Sequence, residues 1–202
     1  MRDDISNGRA TSWFAALDYG FTHYTVVLLG FTDSDGKTFV VDEHAQRGWI
    51  PERHAEAIKA MFHHHQVSLT KSYSYDIDFS RFVAGADVFA KQFDGLTIAD
   101  QYSKLGIKLR PANTDRVNGW AAILHALGDP NGKVDPKLFI HPRCARLIDC
   151  LPSLEHDSGR PEDVLKVDPD EDGLGGDDAA DALRYLVATR PIGGYVTKLR
   201  GL

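Results

Sequence analysis

Five consecutive apolar residues, Trp13-Phe14-Ala15-Ala16-Leu17, run directly into Asp18. A strand with one wet face alternates polar and apolar residues, so an unbroken apolar strand needs cover on both faces. The chain is thereby committed to a sheet held between two layers, with Asp18 at the carboxyl end of a central strand. Its 202 residues are enough for one such domain with a full core. No run of about 18 apolar residues occurs, and the start, Met1-Arg2-Asp3-Asp4, lacks an apolar signal core. Neither a membrane span nor secretion is indicated, and a cytosolic protein is expected.

The remaining elements follow from local chemistry. Residues 25–30 and 38–41 are β-branched and apolar, and Asp33-Ser34-Asp35-Gly36 between them supplies a turn, which predicts a hairpin. Pro51 opens an amphipathic helix over 51–65 with Ala55, Ile58, Met61 and Phe62 inward. After a polar linker at 71–78, residues 82–85 form a fourth strand that delivers Asp87. Helices are then expected at 97–105, 115–127, 143–151 and 177–189, with strands at 107–109 and 138–140 and a possible strand at 164–167 within the loop or small hairpin of 152–176. Three antiparallel strands followed by alternating β and α elements give a mixed sheet with helices on both faces. The 51–65 helix supplies a crossover, so the first and fourth strands are parallel neighbours and Asp18 meets Asp87 at the edge where such sheets bind ligands.

At the last helix, Gly175-Gly176-Asp177-Asp178-Ala179-Ala180-Asp181 puts three carboxylates in the first turn. The helix dipole favours acids there, and the glycines allow close backbone approach. Asp18, Asp87, Asp177, Asp178 and Asp181 together form an oxygen-only donor set suited to hard divalent cations such as Mg²⁺. Two such ions about 4 Å apart activate water and stabilise the leaving oxygen of a phosphodiester. No His-Glu-x-x-His or paired Cys-x-x-Cys is present to suggest zinc.

Other features read as structural. His63-His64-His65 would project in different directions from a helix end, as a solvated cluster favoured by the helix dipole and not a ligand set, and Gly36-Lys37-Thr38 joins two strands where a phosphate loop must enter a helix. Cys144 and Cys150 lie six apart in a predicted helix and read as packing residues, as do Trp13, Trp49 and Trp120. The net charge of −6 is unfavourable for nucleic acid, but the acids crowd into 157–181. Lys104, Lys108, Arg110 and Arg116 form a local basic stretch, and Lys166 is within reach of a phosphate at the site.

The order of motifs resembles the C-terminal nuclease domain of a tailed-bacteriophage terminase large subunit. The matching text is Ala16-Leu17-Asp18-Tyr19-Gly20, Val83-Ala84-Gly85-Ala86-Asp87, Thr97-Ile98-Ala99-Asp100-Gln101-Tyr102 with Gly106-Ile107, Asp115-Arg116-Val117-Asn118-Gly119, and Gly176-Asp177-Asp178-Ala179-Ala180-Asp181-Ala182-Leu183-Arg184-Tyr185. The resemblance implies a ribonuclease H-like fold over 13–190, between a flexible segment 1–12 and a tail 191–202. It also implies endonucleolytic cleavage of double-stranded viral DNA concatemers with two Mg²⁺ or Mn²⁺ ions in the host cytoplasm. Asp18 would bridge the ions and Asp87 hold one. Asp178 is the first choice for the helix ligand, then Asp177, with Asp181 as an outer ligand. The packaging ATPase domain is not represented and no phosphate loop occurs, so an excised domain is expected, with that ATPase domain, the small terminase subunit and the portal protein as partners. Within the same fold a Holliday-junction resolvase is the nearest alternative, and an actin-like sugar kinase would need a second half. The non-enzymatic rival is a module that only docks DNA or the portal.

Overall fold

The computed structural model describes residues 10–65, 81–129, 131–170 and 175–189. The expected linker at 71–78, the tail 191–202 and the first nine residues lie outside them.

The anticipated meander is present and longer than the apolar runs alone suggest. Strands β1 (Ala10–Asp18), β2 (Thr25–Asp33) and β3 (Thr38–Gln46) pair antiparallel. The β2–β3 turn is closed by Asp33, whose carboxylate accepts from the N–H groups of Asp35 and Lys37 at 3.0 and 2.8 Å. Helix α1 (Pro51–His64) buries Ala55, Ile58, Met61 and Phe62 as its periodicity predicts, and His54 besides. It returns the chain to β4 (Phe82–Ala84), which lies parallel to β1 with Leu17 opposite Ala84.

A 3₁₀ turn (Ala86–Phe89) and helix α2 (Ile98–Lys104) follow, the helix opened by a reciprocal Thr97–Asp100 capping box. Then come β5 (Arg110–Pro111), α3 (Arg116–Leu127) capped by Asp115, β6 (Leu138–Ile140) and the short α4 (Ala145–Cys150). A hairpin of β7 (His156–Asp157) and β8 (Arg160–Val164) precedes α5 (Asp178–Ala188). The main sheet has six strands in the order β5-β4-β1-β2-β3-β6.

Alternate residues of β1 serve opposite layers. Trp13, Ala15 and Leu17 pack under α1 and α2, while Phe14 and Ala16 pack under α3, α4 and α5. That division is why all five residues from Trp13 to Leu17 are apolar. Burial of each large side chain contributes about 1.5–3 kcal/mol, so the double-sided strand anchors both halves of the core.

Three local expectations are corrected. No strand covers 107–109: Ile107 is buried against α2 and its N–H bonds to Tyr102 O, so pairing begins only at Arg110 and Pro111, opposite Val83 and Ala84. The strand expected at 164–167 lies earlier, at Arg160–Val164, because Asp157 accepts from the N–H groups of Gly159 and Arg160 and turns the chain into a hairpin. The helix expected over 143–151 is confined to Ala145–Cys150 and continues as a 3₁₀ turn over Leu151–Ser153.

The residues read as structural are so. Cys144 and Cys150 are free and buried, as are the rings of Trp13 and Trp120, and Arg53 stacks 3.7 Å from the centre of the Trp49 ring. In the His tract, expected to be solvated, His63 and His64 are exposed, with His64 meeting Arg143 at 3.0 Å, whereas His65 is largely covered and bonds Asp42 at 2.7 Å.

Candidate active site

Parallel pairing of β1 with β4 is what brings the first two acids together. Asp18 ends β1, and one residue past the end of β4 the N–H of Gly85 bonds to Leu17 O at 3.3 Å. Asp87 then folds back from the 3₁₀ turn over Gly85. A Cβ at position 85 would lie 2.6 Å from Asp87 Oδ1 and 3.2 Å from the Tyr185 hydroxyl, so glycine is required there by space, its φ of −54° being ordinary.

The helix acids arrive from the other layer. Gly175 and Gly176 have φ of 70° and 82°, conformations that side chains disfavour, and they turn the chain into α5. The carbonyl of Gly175 accepts from Arg146 at 2.7 Å and that of Gly176 from the Cys150 thiol at 3.0 Å, so α4 holds the turn from behind. Asp177 occupies the N-cap but its side chain makes no capping hydrogen bond. It is turned instead into a cleft of about 520 Å³ that Asp18, Asp87, Asp178 and Asp181 also line.

The carboxylates crowd one another. Burial, followed by repulsion from Asp181, Asp178 and Asp87, holds Asp18 well above the ordinary carboxylate range, with Lys166 opposing. Burial first, then Asp181, raises Asp177. Burial also raises Asp178, against Arg146 and His23, and raises Asp87. Burial and Asp18 likewise keep the Tyr185 hydroxyl protonated. These acids are held where their ionised forms are least comfortable, which is the electrostatic condition that a cation relieves.

Asp181 differs from the rest. It is 2% exposed and accepts from Arg116 Nη1 at 3.3 Å, Lys166 Nζ at 3.2 Å and Arg184 Nε at 3.1 Å. Three cations therefore share one buried carboxylate. By contrast, Asp177 Oδ2 and Asp178 Oδ2 are buried without a hydrogen-bond partner, their nearest cations being Lys166 at 3.9 Å and Arg146 at 3.8 Å. Orphaned carboxylate oxygens beside Asp18 suit a hard cation in donor type and charge. Among the described residues, however, no three His, Cys, Asp or Glu side chains are drawn into a ready-made metal group.

Of the five basic residues singled out in the sequence, Arg116 and Lys166 line the cleft, whereas Lys104, Lys108 and Arg110 do not and are exposed. Sequence reasoning missed Arg146, Asp163, Arg184 and Tyr185. Arg184 had a signal, since it stands three residues after Asp181 on the same helix; Asp163, in a polar Arg-Pro-Glu-Asp run, had none.

The chain matches no protein-family model and no curated protein. Its fold matches solved structures. The large terminase of a thermophilic bacteriophage, in complex with ADP, superposes with a TM-score of 0.62 at 19% identity over 91% of this chain and 40% of that one. The large terminase nuclease domain of P22 gives 0.60 at 15% identity, covering 87% and 79%, respectively. The nuclease domain of the large terminase g2p from bacteriophage SPP1, solved with bound Mn, gives 0.53 at 14% identity, covering 90% and 88%. The chain thus spans about two fifths of that large terminase chain and most of the nuclease domains. The ribonuclease H-like mixed sheet expected from the motifs is the fold observed.

Proposed function

We propose that the chain is a metal-dependent endonuclease for double-stranded DNA, acting as the nuclease domain, over 13–190, of a large terminase during genome packaging. The observation that carries this reading is the convergence of Asp18, Asp87, Asp177 and Asp178, from separate elements, on one cleft in a fold shared with terminase nuclease domains. These four would hold two divalent ions, Mg²⁺ or Mn²⁺. Bound there, the ions supply Lewis-acid charge at the phosphodiester and activation of the attacking water. The Mn carried by the SPP1 domain supports that assignment of metal class.

The protein's own groups do the rest. The exposed Lys166 ammonium meets a phosphate; burial pulls its pKa down, but Asp181 and Asp177 outweigh that and hold it above the ordinary value. Arg116 and Arg184 are tied to Asp181 and set the first turn of α5. Tyr185, kept protonated, offers a hydroxyl donor beside Gly85 and Asp87. Concatemer cleavage, association with a packaging ATPase domain, small subunit and portal, and action in the host cytoplasm belong to the same proposal. Among the described residues no helix is long and apolar enough to cross a membrane.

Nicking of supercoiled plasmid with Mn²⁺ tests the reading. The parent should cleave, and Asp18→Asn and Asp178→Asn should each reduce the rate at least about a hundredfold, the scale of losing a principal charge-stabilising group. Undiminished cleavage in both variants would place the chemistry elsewhere. A strong preference for four-way junctions over linear duplex would point to a resolvase, and no cleavage by the parent to a docking module.

A further inference from the structure

We propose that Asp163, which lies outside the cleft, is the positioning residue for Lys166, and that Lys166 is thereby aimed at the backbone phosphates of a nucleic acid entering it. The choice of ligand rests on the nuclease reading above.

Lys166 follows the β7–β8 hairpin by two residues, and the backbone on either side of it is pinned. The N–H of Leu165 donates to Glu155 O at 2.8 Å, and the N–H of Asp177 donates to Val167 O at 3.2 Å. The hairpin is locked to the helical layer by Asp163, which is 8% exposed. Its carboxylate accepts from Arg116 Nε at 2.8 and 3.0 Å, from Trp120 Nε1 at 3.0 Å and from the N–H of Val164 at 2.8 Å. The same Arg116 guanidinium donates through Nη2 to Val164 O at 2.9 Å and through Nη1 to Asp181 at 3.3 Å. One planar fork therefore clamps the end of the hairpin to α5, a geometry that lysine at 116 would not reproduce.

The clamp fixes the place of Lys166. Its Nζ lies 3.2 Å from Asp181, yet its side chain is 68% exposed, against 22% for Arg116 and 2% for Arg184. Asp181 is thus saturated from behind by two largely covered arginines, and Lys166 is the cation of this group that solvent and solute can reach. An ammonium has three donors, so one bond to Asp181 leaves others for an anion. Removing the charge at 163 would loosen the grip on Arg116 and let that guanidinium compete with Lys166 for Asp181, displacing the ammonium while leaving Asp18, Asp87, Asp177 and Asp178 in place.

The test is binding of a short fluorescent duplex by the whole chain in EDTA, followed by anisotropy across a salt series, so that the readout stands apart from cleavage. Lys166→Met should weaken binding roughly tenfold and flatten the plot of log affinity against log salt by about one, the signature of one lost phosphate contact. Asp163→Asn should reproduce most of both changes, and the double variant should be no worse than Lys166→Met alone, because the two act through one contact. Trp120→Phe, which removes one donor to Asp163 and keeps a ring, should give the same change in smaller measure should Asp163→Asn fold poorly. In the nicking assay Asp163→Asn should raise KM more than it lowers kcat.

Parent-like affinity and salt slope in folded Asp163→Asn, or in Lys166→Met, would overturn the proposal. A lower melting temperature with unchanged KM and slope would do the same, since that is what a purely structural carboxylate gives. The expected pattern in binding, together with no Mn²⁺-dependent nicking by the parent, would sink the nuclease reading and leave the Asp163–Lys166 coupling intact.

Discussion

Gly119 is the fourth residue of α3 and faces Arg184, the most buried arginine or lysine among the described residues. In a generic helix interior, replacing glycine by alanine stabilises by about 0.5–1 kcal/mol, because alanine loses less backbone freedom on folding. Here a Cβ would stand 2.5 Å from Arg184 Cγ and 2.9 Å from its Cδ. Ordinary carbon contacts are about 3.5–4.0 Å, so the arginine stem would have to retreat by about 1 Å. It is poorly placed to do so. Arg184 is held by Asp181 through Nε at 3.1 Å and Nη2 at 3.0 Å, by Thr114 O at 3.2 Å, and between the rings of Trp120 and Tyr185 at 5.5 and 4.6 Å. Overpacking of this kind costs about 1–3 kcal/mol, which outweighs the propensity gain. Gly119→Ala should therefore be destabilised by about 1–2 kcal/mol, with a melting temperature lower by roughly 2–8 °C for a chain of this size. In urea unfolding the midpoint should fall at constant m. In an Arg184→Ala background, where the obstructing stem is gone, the same alanine should be neutral or stabilising. A single Gly119→Ala variant as stable as the parent, or more so, refutes the reasoning.

Two further outcomes follow from the electrostatics. Asp18→Asn should raise the melting temperature by about 2–4 °C, the scale of 1 kcal/mol, while abolishing cleavage, because burial and three neighbouring carboxylates oppose its charge in the folded state; differential scanning fluorimetry reads the shift, and a lower melting temperature would contradict it. The His44–His54 pair, 2.9 Å apart, should make stability fall with acid. Burial lowers His44 to about 4 from 6.5 and also lowers His54, so between those values the unfolded chain binds the proton and the folded chain does not. Stability is fully present above about pH 6.5 and declines by up to about 1.4 kcal/mol per unit below it for one such group. Urea midpoints of the parent and His44→Gln between pH 7 and 5 measure this, and identical slopes would exclude the pair as the cause.

Much of the architecture was legible because it depends on patterns that repeat along the chain. The apolar run before Asp18 called for a doubly covered strand, and the length of the 51–65 helix allowed only a crossover that makes β4 its parallel neighbour. Asp18 and Asp87 were placed by that topology alone. The helix acids were found as a group, but their division of labour was not, because it depends on which cations reach them through space: Asp181 is saturated by Arg116, Lys166 and Arg184, whereas one oxygen each of Asp177 and Asp178 is orphaned. Basic residues close in sequence proved poor guides to the cleft for the same reason. Arg116 and Lys166, fifty positions apart, converge there, while Lys108 and Arg110 do not. Strand β8 went unrecognised since Arg-Pro-Glu-Asp has no strand-like composition; a short Asp-Ser-Gly turn, not side-chain patterning, makes it pair.

The acids of the cleft come from the end of β1, from the 3₁₀ turn after β4 and from the start of α5, the last described helix, which packs directly on β1 and β2. A ribosome thus emits Asp18 and Asp87 long before Asp177 and Asp178 exist. Until α5 docks, the nascent polypeptide has its acids in separate pieces, and on the proposed nuclease reading it would be unable to cut a template nearby. Any truncation upstream of α5 should likewise yield an inert product on that reading, so that assembly of the acidic cleft waits on the synthesis and docking of α5.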